Sequence, residues 1–200
     1  MLKVGLTGGY ASGKSFVGAT LAELGCHLIK ADELGHLVLQ PGGEAYEPVV
    51  KEFGAGILAA DGAIDRRRLA AEVFDQPERL AALNSLVHPH VIAREEALMA
   101  EIARRDPDAI AVMEAAILIE TGSHKRFDRV ILTVCGEECQ IRRAAHRDAL
   151  AREEVLVRLK SQMPVEEKRK YADYVIDTSG SKDDTVKKVV AVYNSLRSIQ

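Results

Sequence analysis

Short apolar runs alternate along the chain with longer stretches whose apolar residues recur at helical spacing. Five such runs occupy positions 2–7, 26–31, 109–113, 129–134 and 173–177. Runs of this length are typical of strands that are buried on both faces of a sheet. Because helical stretches separate them, the pattern predicts an α/β fold: a doubly wound, five-stranded parallel sheet covered by helices on both faces.

The segment from 33 to 104 contains no convincing strand and is predicted to be a mostly helical insertion. His88-Pro89 is predicted to break the helical pattern there, because proline lacks a backbone donor and its ring clashes with the preceding turn. Ser181 and Asp184 resemble a capping pair at the start of the last helix. The predicted helices cover 14–24, 33–40, 44–53, 66–74, 76–86, 91–104, 137–148, 152–170 and 182–198.

A glycine-rich loop joins the first strand to the first helix. Residues 8–15, GGYASGKS, match the pattern GxxxxGK[ST] in full. Glycines let successive backbone N–H groups curl around phosphate oxygens, and the helix N-terminus adds partial positive charge. Lys14 would reach the β and γ phosphates of ATP, and the Ser15 hydroxyl would ligate Mg²⁺. The alternative, a chance glycine-rich turn, is disfavoured by the strand and helix on either side.

Asp32 follows the second predicted strand, at the edge of the sheet where open α/β folds bind ligands. A carboxylate there could accept the proton of an attacking hydroxyl, or hold magnesium through water. Asp32 could equally cap the helix predicted over 33–40, since aspartate is a good N-cap residue. Residue type alone leaves both roles open, and the phosphate loop nearby favours the catalytic one.

Arg142, Arg143 and Arg147 lie in the helix predicted over 137–148, with the last two on one face. Mobile cations of this kind could form a lid that neutralises phosphate charge and excludes water. The alternative is a solvated face that pairs with acidic residues of the same segment, Glu137, Glu138 and Asp148.

His88-Pro89-His90 places two imidazoles close together. A role for His88 as a polar helix-terminal residue is favoured over metal binding, because a third ligand is missing.

Composition excludes several classes of protein. The formal net charge of −3 disfavours general binding to nucleic acid or to anionic membranes, which requires basic excess. No stretch approaches the roughly 20 apolar residues that span a bilayer. The three cysteines are odd in number and lack CxxC spacing, which indicates reduced thiols and a cytoplasmic protein. The sequence lacks the NKxD guanine-binding signature, which disfavours a GTPase. A small-molecule kinase is therefore favoured over a motor or a non-catalytic nucleotide-binding switch.

Beyond the phosphate loop, the residues resemble the dephospho-CoA kinase family over nearly the whole chain. The later similarities are fairly specific in order and spacing. They comprise Ala31-Asp32, Phe53-Gly54, Asp61-Gly62, Arg67, Val73-Phe74, residues 86–89 (LVHP), Leu118, Glu120, Arg143, Arg147-Asp148, Gln162 and residues 172–177 (ADYVID).

This resemblance implies transfer of the ATP γ-phosphoryl group to the ribose 3′-hydroxyl of dephospho-CoA, the last step of coenzyme A synthesis, with Mg²⁺ as cofactor. Another P-loop small-molecule or nucleotide kinase is the alternative. The implied partners are ATP and dephospho-CoA, with no nucleic acid or membrane, in a monomer or weak homo-oligomer. The implied regions are a nucleotide-binding core (1–32, 105–136 and 171–200), a helical acceptor domain (33–104) and a lid (137–170).

By matching position, the resemblance also assigns roles to single residues. The catalytic residues are Asp32 as base, with Lys14 and Arg143. Those that bind the acceptor are Asp32, Arg67 and His88, and Ser15 is the metal ligand. Those that bind ATP are Gly8, Gly9, Ala11, Ser12, Gly13, Lys14, Ser15, Phe16 and Arg147.

The chain departs from the family pattern at several positions. Ala11 stands where the family often has glycine, and alanine would be strained there if the position needs a positive φ. Phe16 and Thr178 replace a frequent threonine and asparagine, and Lys30 and Ala116 replace aspartate and proline. None of these departures touches Gly13, Lys14, Ser15 or Asp32.

Overall fold

A computed structural model describes residues 1–148 and 151–199. Within them, five strands form a parallel sheet, so the predicted fold class is confirmed. The strands are β1 (Leu2–Gly8), β2 (His27–Lys30), β3 (Ile110–Glu114), β4 (Arg129–Val134) and β5 (Tyr174–Asp177). Their order in the sheet is β2-β3-β1-β4-β5. Chain order reverses beside β1, which makes the carboxyl end of this strand the point where such sheets bind ligands.

The first and last helices pack together against the sheet. Helix α1 (Lys14–Glu23) follows β1 after the glycine-rich loop, and α9 (Lys182–Arg197) is the last described helix. Ser181 and Asp184 form the predicted capping pair, because the Ser181 side chain accepts from the Asp184 N–H. The shared core is aliphatic and is built from Leu2, Val4, Leu6, Val17, Leu21, Ile110, Val112, Ile131, Ile176, Val189 and Leu196.

The chain divides into two compact units: residues 1–30 with 101–200, and residues 31–100. The second unit is helical, and the one pairing of extended backbone described in it is a single bridge between Leu58 and Ile64. Its core contains Val38, Val49, Phe53, Ile57 and Leu69. Its helices are α2 (Ala31–Val38), α3 (Tyr46–Phe53), α4 (Arg66–Val73) and most of α5 (Pro77–Arg105).

The predicted helix break at His88-Pro89 is wrong. Helix α5 runs through Pro89 as one element of 29 residues. A proline inside a helix costs about 3 kcal/mol, through a lost hydrogen bond and a steric clash. Apolar residues on both sides of Pro89, including Leu86, Val87 and Val91, pack against the core of the second unit. This packing holds the two halves in line and outweighs the local cost.

The predicted single helix over 152–170 is also wrong. After α6 (Glu137–Asp148), the chain forms α7 (Arg152–Lys160) and a separate short helix, α8 (Val165–Arg169). Pro164 lies immediately before α8. Proline disfavours helical backbone at the residue before it but suits the start of a helix, so it ends one element and begins the next.

Candidate active site

The phosphate loop turns sharply between β1 and α1. Gly13 precedes α1 with a φ of 84°, a left-handed conformation that favours glycine. Gly8 is needed for a different reason, because a Cβ atom there would lie 2.0 Å from the Thr133 hydroxyl oxygen. The neighbouring strand therefore packs directly against the start of the loop, and the turn places the first N–H groups of α1 at its inner edge.

One cavity of about 180 Å³ lies at this turn. It is smaller than the roughly 300–1,000 Å³ of pockets that hold drug-sized ligands, so its size matches phosphate groups rather than a whole nucleotide. Every residue predicted to bind ATP lines it except Gly8, and the predicted catalytic residue Arg143 joins them. The lining consists of Gly9, Ala11, Ser12, Gly13, Lys14, Ser15, Phe16, Arg143 and Arg147.

Glu114 ends β3, beside β1, and its side chain reaches the phosphate loop. The Ser15 hydroxyl donates a hydrogen bond to Glu114 Oε1 at 2.6 Å, although the two residues lie 99 positions apart in the chain. Glu114 is only 6% exposed. Sequence reasoning missed this residue. The available signal was a lone carboxylate at the end of an otherwise apolar run, two residues before Ala116.

The site fits a magnesium ion. Glu114 Oε2 is buried and receives no hydrogen bond from the described residues, which is costly for a carboxylate oxygen. In the described parts of the chain, no group of three or more His, Cys, Asp or Glu could hold a metal on its own. Mg²⁺ retains several waters and is usually bound by one or two side chains together with substrate phosphates. Ser15 and Glu114 match that kind of shared site.

Arg143, on α6, is held at the cavity by Thr178. Its Nη1 donates to the Thr178 hydroxyl at 2.9 Å, and its Nη2 donates to the Thr178 carbonyl at 2.6 Å. The same hydroxyl lies 2.8 Å from the Ser12 carbonyl, to which it donates. One buried side chain thus connects the arginine with the phosphate loop. The asparagine frequent at this position could also accept from arginine and donate to a carbonyl.

Arg147 lies at the same cavity and is paired with its neighbour in sequence. Its Nε and Nη2 donate to the two carboxylate oxygens of Asp148, at 2.9 and 2.8 Å. This pairing raises the pKa of Arg147, and hydrogen bonds from Arg147 and Tyr10 lower the pKa of Asp148 to about 2. Because the folded-state pKa lies below the unfolded value of about 4, the bridge is complete above that pH and is lost only as pH falls through about 2.

The alternative, in which these arginines pair with acidic residues of their own helix, holds in part. Arg147 does pair with Asp148, whereas Glu138 pairs with Arg152 of α7. Arg143 bonds to Thr178, outside its own helix. The two arginines that line the cavity are therefore held differently: Arg143 by the core, and Arg147 by its own helix and Tyr10.

Ala11 adopts a positive φ of 56° in the phosphate loop, so the departure from glycine falls on a strained position. A left-handed conformation costs a non-glycine residue roughly 1–2 kcal/mol, and glycine avoids this cost. Glycine also gives the unfolded chain more conformational entropy, which offsets about half of the gain in stability. We expect Ala11→Gly to raise the melting temperature by about 1–4 °C in thermal unfolding. Ala19→Gly, at an exposed helical position in α1, is the matched control and should lower it. A lower melting temperature for Ala11→Gly would contradict the strain.

The predicted acceptor residues all lie in the second unit. Asp32 is exposed in the first turn of α2, which begins at Ala31 directly after β2. It therefore lies one step inside the helix and not at the N-cap position that the alternative role requires. Arg67 is exposed in the first turn of α4, where its N–H is capped by Asp65, and His88 is half-buried in α5.

The chain is similar to known proteins over almost its full length. The family model described as "Dephospho-CoA kinase" matches residues 2–184. A dephospho-CoA kinase of Aquifex aeolicus is 40% identical over 98% of both chains. Among solved structures, TT1252 from Thermus thermophilus has a TM-score of 0.82 at 36% identity, covering 98% of this chain and 97% of that one. The dephospho-CoA kinase from Campylobacter jejuni has a TM-score of 0.73 at 27% identity, with the same coverage. On the match of the family model and of these relatives, the chain belongs to the dephospho-CoA kinase family.

Proposed function

We propose that the chain phosphorylates dephospho-CoA, using ATP as the phosphoryl donor and releasing coenzyme A and ADP. The observation that carries this proposal is the cavity at the carboxyl end of β1, where Lys14, Arg143 and Arg147 surround a phosphate-sized space. A non-catalytic switch would not need two arginines, Arg143 and Arg147, at this cavity in addition to Lys14. Family membership separates the chain from other small-molecule kinases that share the loop.

The cavity residues bind and orient the triphosphate. The loop N–H groups and the N-terminus of α1 face the β and γ phosphates, and Lys14 supplies a positive charge to their oxygens. Arg143 is fixed in advance by Thr178, so it can stabilise developing charge without reorganising. Ser15 and Glu114 would hold Mg²⁺, which when bound neutralises charge on the β and γ oxygens.

In the transfer step, the ribose 3′-hydroxyl oxygen forms a bond to the γ-phosphorus as the bond from that phosphorus to the β,γ-bridging oxygen breaks. The bond electrons leave with ADP. Asp32 accepts the hydroxyl proton and later releases it to water. Arg67 and His88 are proposed to contact the acceptor, within a helical acceptor region (33–104), and residues 137–170 are proposed to act as a lid.

The direct test is mass spectrometry of dephospho-CoA after incubation with the protein, ATP and magnesium. We expect a product heavier by one phosphoryl group, with ADP in equal amount. A panel of other acceptors, including adenosine, shikimate and nucleoside monophosphates, should give little product. Efficient transfer to one of these acceptors, with none to dephospho-CoA, would refute the proposed substrate. The chain would then be a kinase that acts on a different acceptor.

Glu114→Gln should weaken the use of magnesium. The amide keeps the size of the side chain but removes the negative charge beside Ser15, and losing a partner of a metal ligand typically costs about 10–100-fold in metal affinity or activity. We expect the Mg²⁺ concentration that gives half-maximal rate to rise by about tenfold or more, measured by titration of initial rates. ATP affinity without magnesium should change little. Glu138→Gln, exposed on α6, is the control, and an unchanged magnesium dependence of Glu114→Gln would contradict the role.

The cytoplasm is the proposed location. The three cysteines are free thiols, which suits a reducing compartment. No described helix has the length and hydropathy needed to cross a membrane.

The proposed oligomeric state is a monomer or a weak homo-oligomer. Sedimentation at micromolar concentration tests this proposal.

A further inference from the structure

Tyr10 connects the phosphate loop to the helical segment that follows β4. The Tyr10 N–H donates to Gln162 Oε1 at 2.7 Å, and the Tyr10 carbonyl accepts from Gln140 Nε2 at 2.7 Å. Both backbone groups of one loop residue are thus bonded to side chains more than 100 positions away. The side chain of Tyr10 also packs against the small apolar cluster of this segment, formed by Ile141, Ala144 and Val155.

The ring and hydroxyl of Tyr10 make a second, separate set of contacts with charged groups. The Arg147 guanidinium carbon lies 5.2 Å from the ring centroid, and that of Arg158 lies 5.4 Å from it. The Tyr10 hydroxyl donates to Asp148 Oδ2 and accepts from Arg158 Nη1 at 3.2 Å. The two carboxylate oxygens of Asp148 also accept hydrogen bonds from one edge of the Arg147 guanidinium, through its Nε and Nη2. The ring and the carboxylate therefore hold one arginine between them.

Arg147 is the member of this set that lines the phosphate cavity, yet its side chain is 59% exposed. An exposed arginine has many rotamers, and binding a phosphate would have to restrict them. A ring face within about 6 Å attracts a guanidinium and narrows this freedom before the ligand arrives. The contact also lies within the loop that binds the phosphate, so the loop and the arginine are fixed relative to each other.

We propose that Tyr10 is a positioning residue for Arg147, holding its guanidinium at the phosphate cavity through the ring face and through Asp148. The proposal rests on the proposed function, since it assigns Arg147 to the ATP phosphates. Tyr10 itself does not line the cavity. Its effect on nucleotide binding must therefore pass through the residues it contacts, and this separates its role from that of Lys14 or Ser15.

A double-mutant cycle tests this dependence. Tyr10→Leu keeps an apolar side chain and the backbone bonds to Gln140 and Gln162, but it removes the ring and hydroxyl. We expect it to weaken ATP binding, measured by calorimetry without acceptor, and kcat/KM by about 5–10-fold. Tyr10→Phe retains the ring face and should recover at least half of that loss on a logarithmic scale. In an Arg147→Ala background, Tyr10→Leu should change either quantity less than about twofold.

The controls separate positioning from general stability. Arg152→Ala, which breaks an exposed pair with Glu138 in the same segment, should leave ATP affinity and rate unchanged. Melting temperatures should agree within about 2 °C among the Tyr10 variants. An equal loss from Tyr10→Leu in both backgrounds overturns the proposal, as does a Tyr10→Phe variant as impaired as Tyr10→Leu. Calorimetry requires no acceptor, so a chain that binds ATP but fails to phosphorylate dephospho-CoA would refute the proposed function alone.

Discussion

Lys14→Ala is expected to lose phosphoryl transfer almost completely and to bind ATP more weakly. Lys14 lines the cavity at the start of α1, where the β and γ phosphates would lie. Removing a fixed charge that stabilises the transition state typically costs about 10²–10³-fold in kcat, and here the same charge also contributes to ground-state binding. Steady-state kinetics with dephospho-CoA and calorimetry with ATP measure the two losses separately.

Two further variants test whether the loss in Lys14→Ala comes from the charge of this one lysine. Lys14→Met keeps the aliphatic stem and removes only the ammonium group, so it should be as inactive as Lys14→Ala if charge is what matters. Lys3→Ala removes an exposed lysine of β1 and should behave as wild type. Near-normal kcat in Lys14→Ala would show that this loop does not hold the transferred phosphate.

Asp32→Asn is expected to lose roughly 10²-fold or more in kcat while binding ATP nearly normally. A ribose hydroxyl is a poor nucleophile at neutral pH, and a carboxylate beside it would take its proton as the new P–O bond forms. The amide has the same shape but cannot accept that proton. Because Asp32 is exposed in the first turn of α2, the stability cost is limited to a helix-dipole interaction of about 0.3–1 kcal/mol.

Glu33→Gln is the matched control for this prediction. Glu33 is the other acidic residue in the first turn of α2, so its amide variant removes a comparable helix-dipole interaction. We expect it to keep wild-type kcat. If Asp32→Asn also turns over dephospho-CoA at the wild-type rate, Asp32 has only a structural role at the start of α2.

The sheet and the phosphate loop could be predicted because their causes are local in sequence. A short apolar run between two helical stretches indicates a strand, even at β2 and β5, which each bury only one residue. The loop needs glycine, lysine and serine at adjacent positions. The predicted break at Pro89 failed for the opposite reason. The local cost of proline is real, but packing of Leu86, Val87 and Val91 on distant residues outweighs it.

The sequence by itself determined the order of strands and helices, the curl of residues 8–15 and the placement of Lys14 and Ser15, because each depends on neighbours within about four residues. Only the tertiary structure decided the partners of that loop. Glu114, Thr178 and the contacts of Tyr10 come from chain segments 99 to 166 positions away. Such contacts leave no local periodicity in the sequence, since they depend on which strands are neighbours in the sheet and on where the segments after them run. The loop could thus be predicted from its own residues. The contacts that hold Ser15 and the two arginines at the cavity could be found only from the fold.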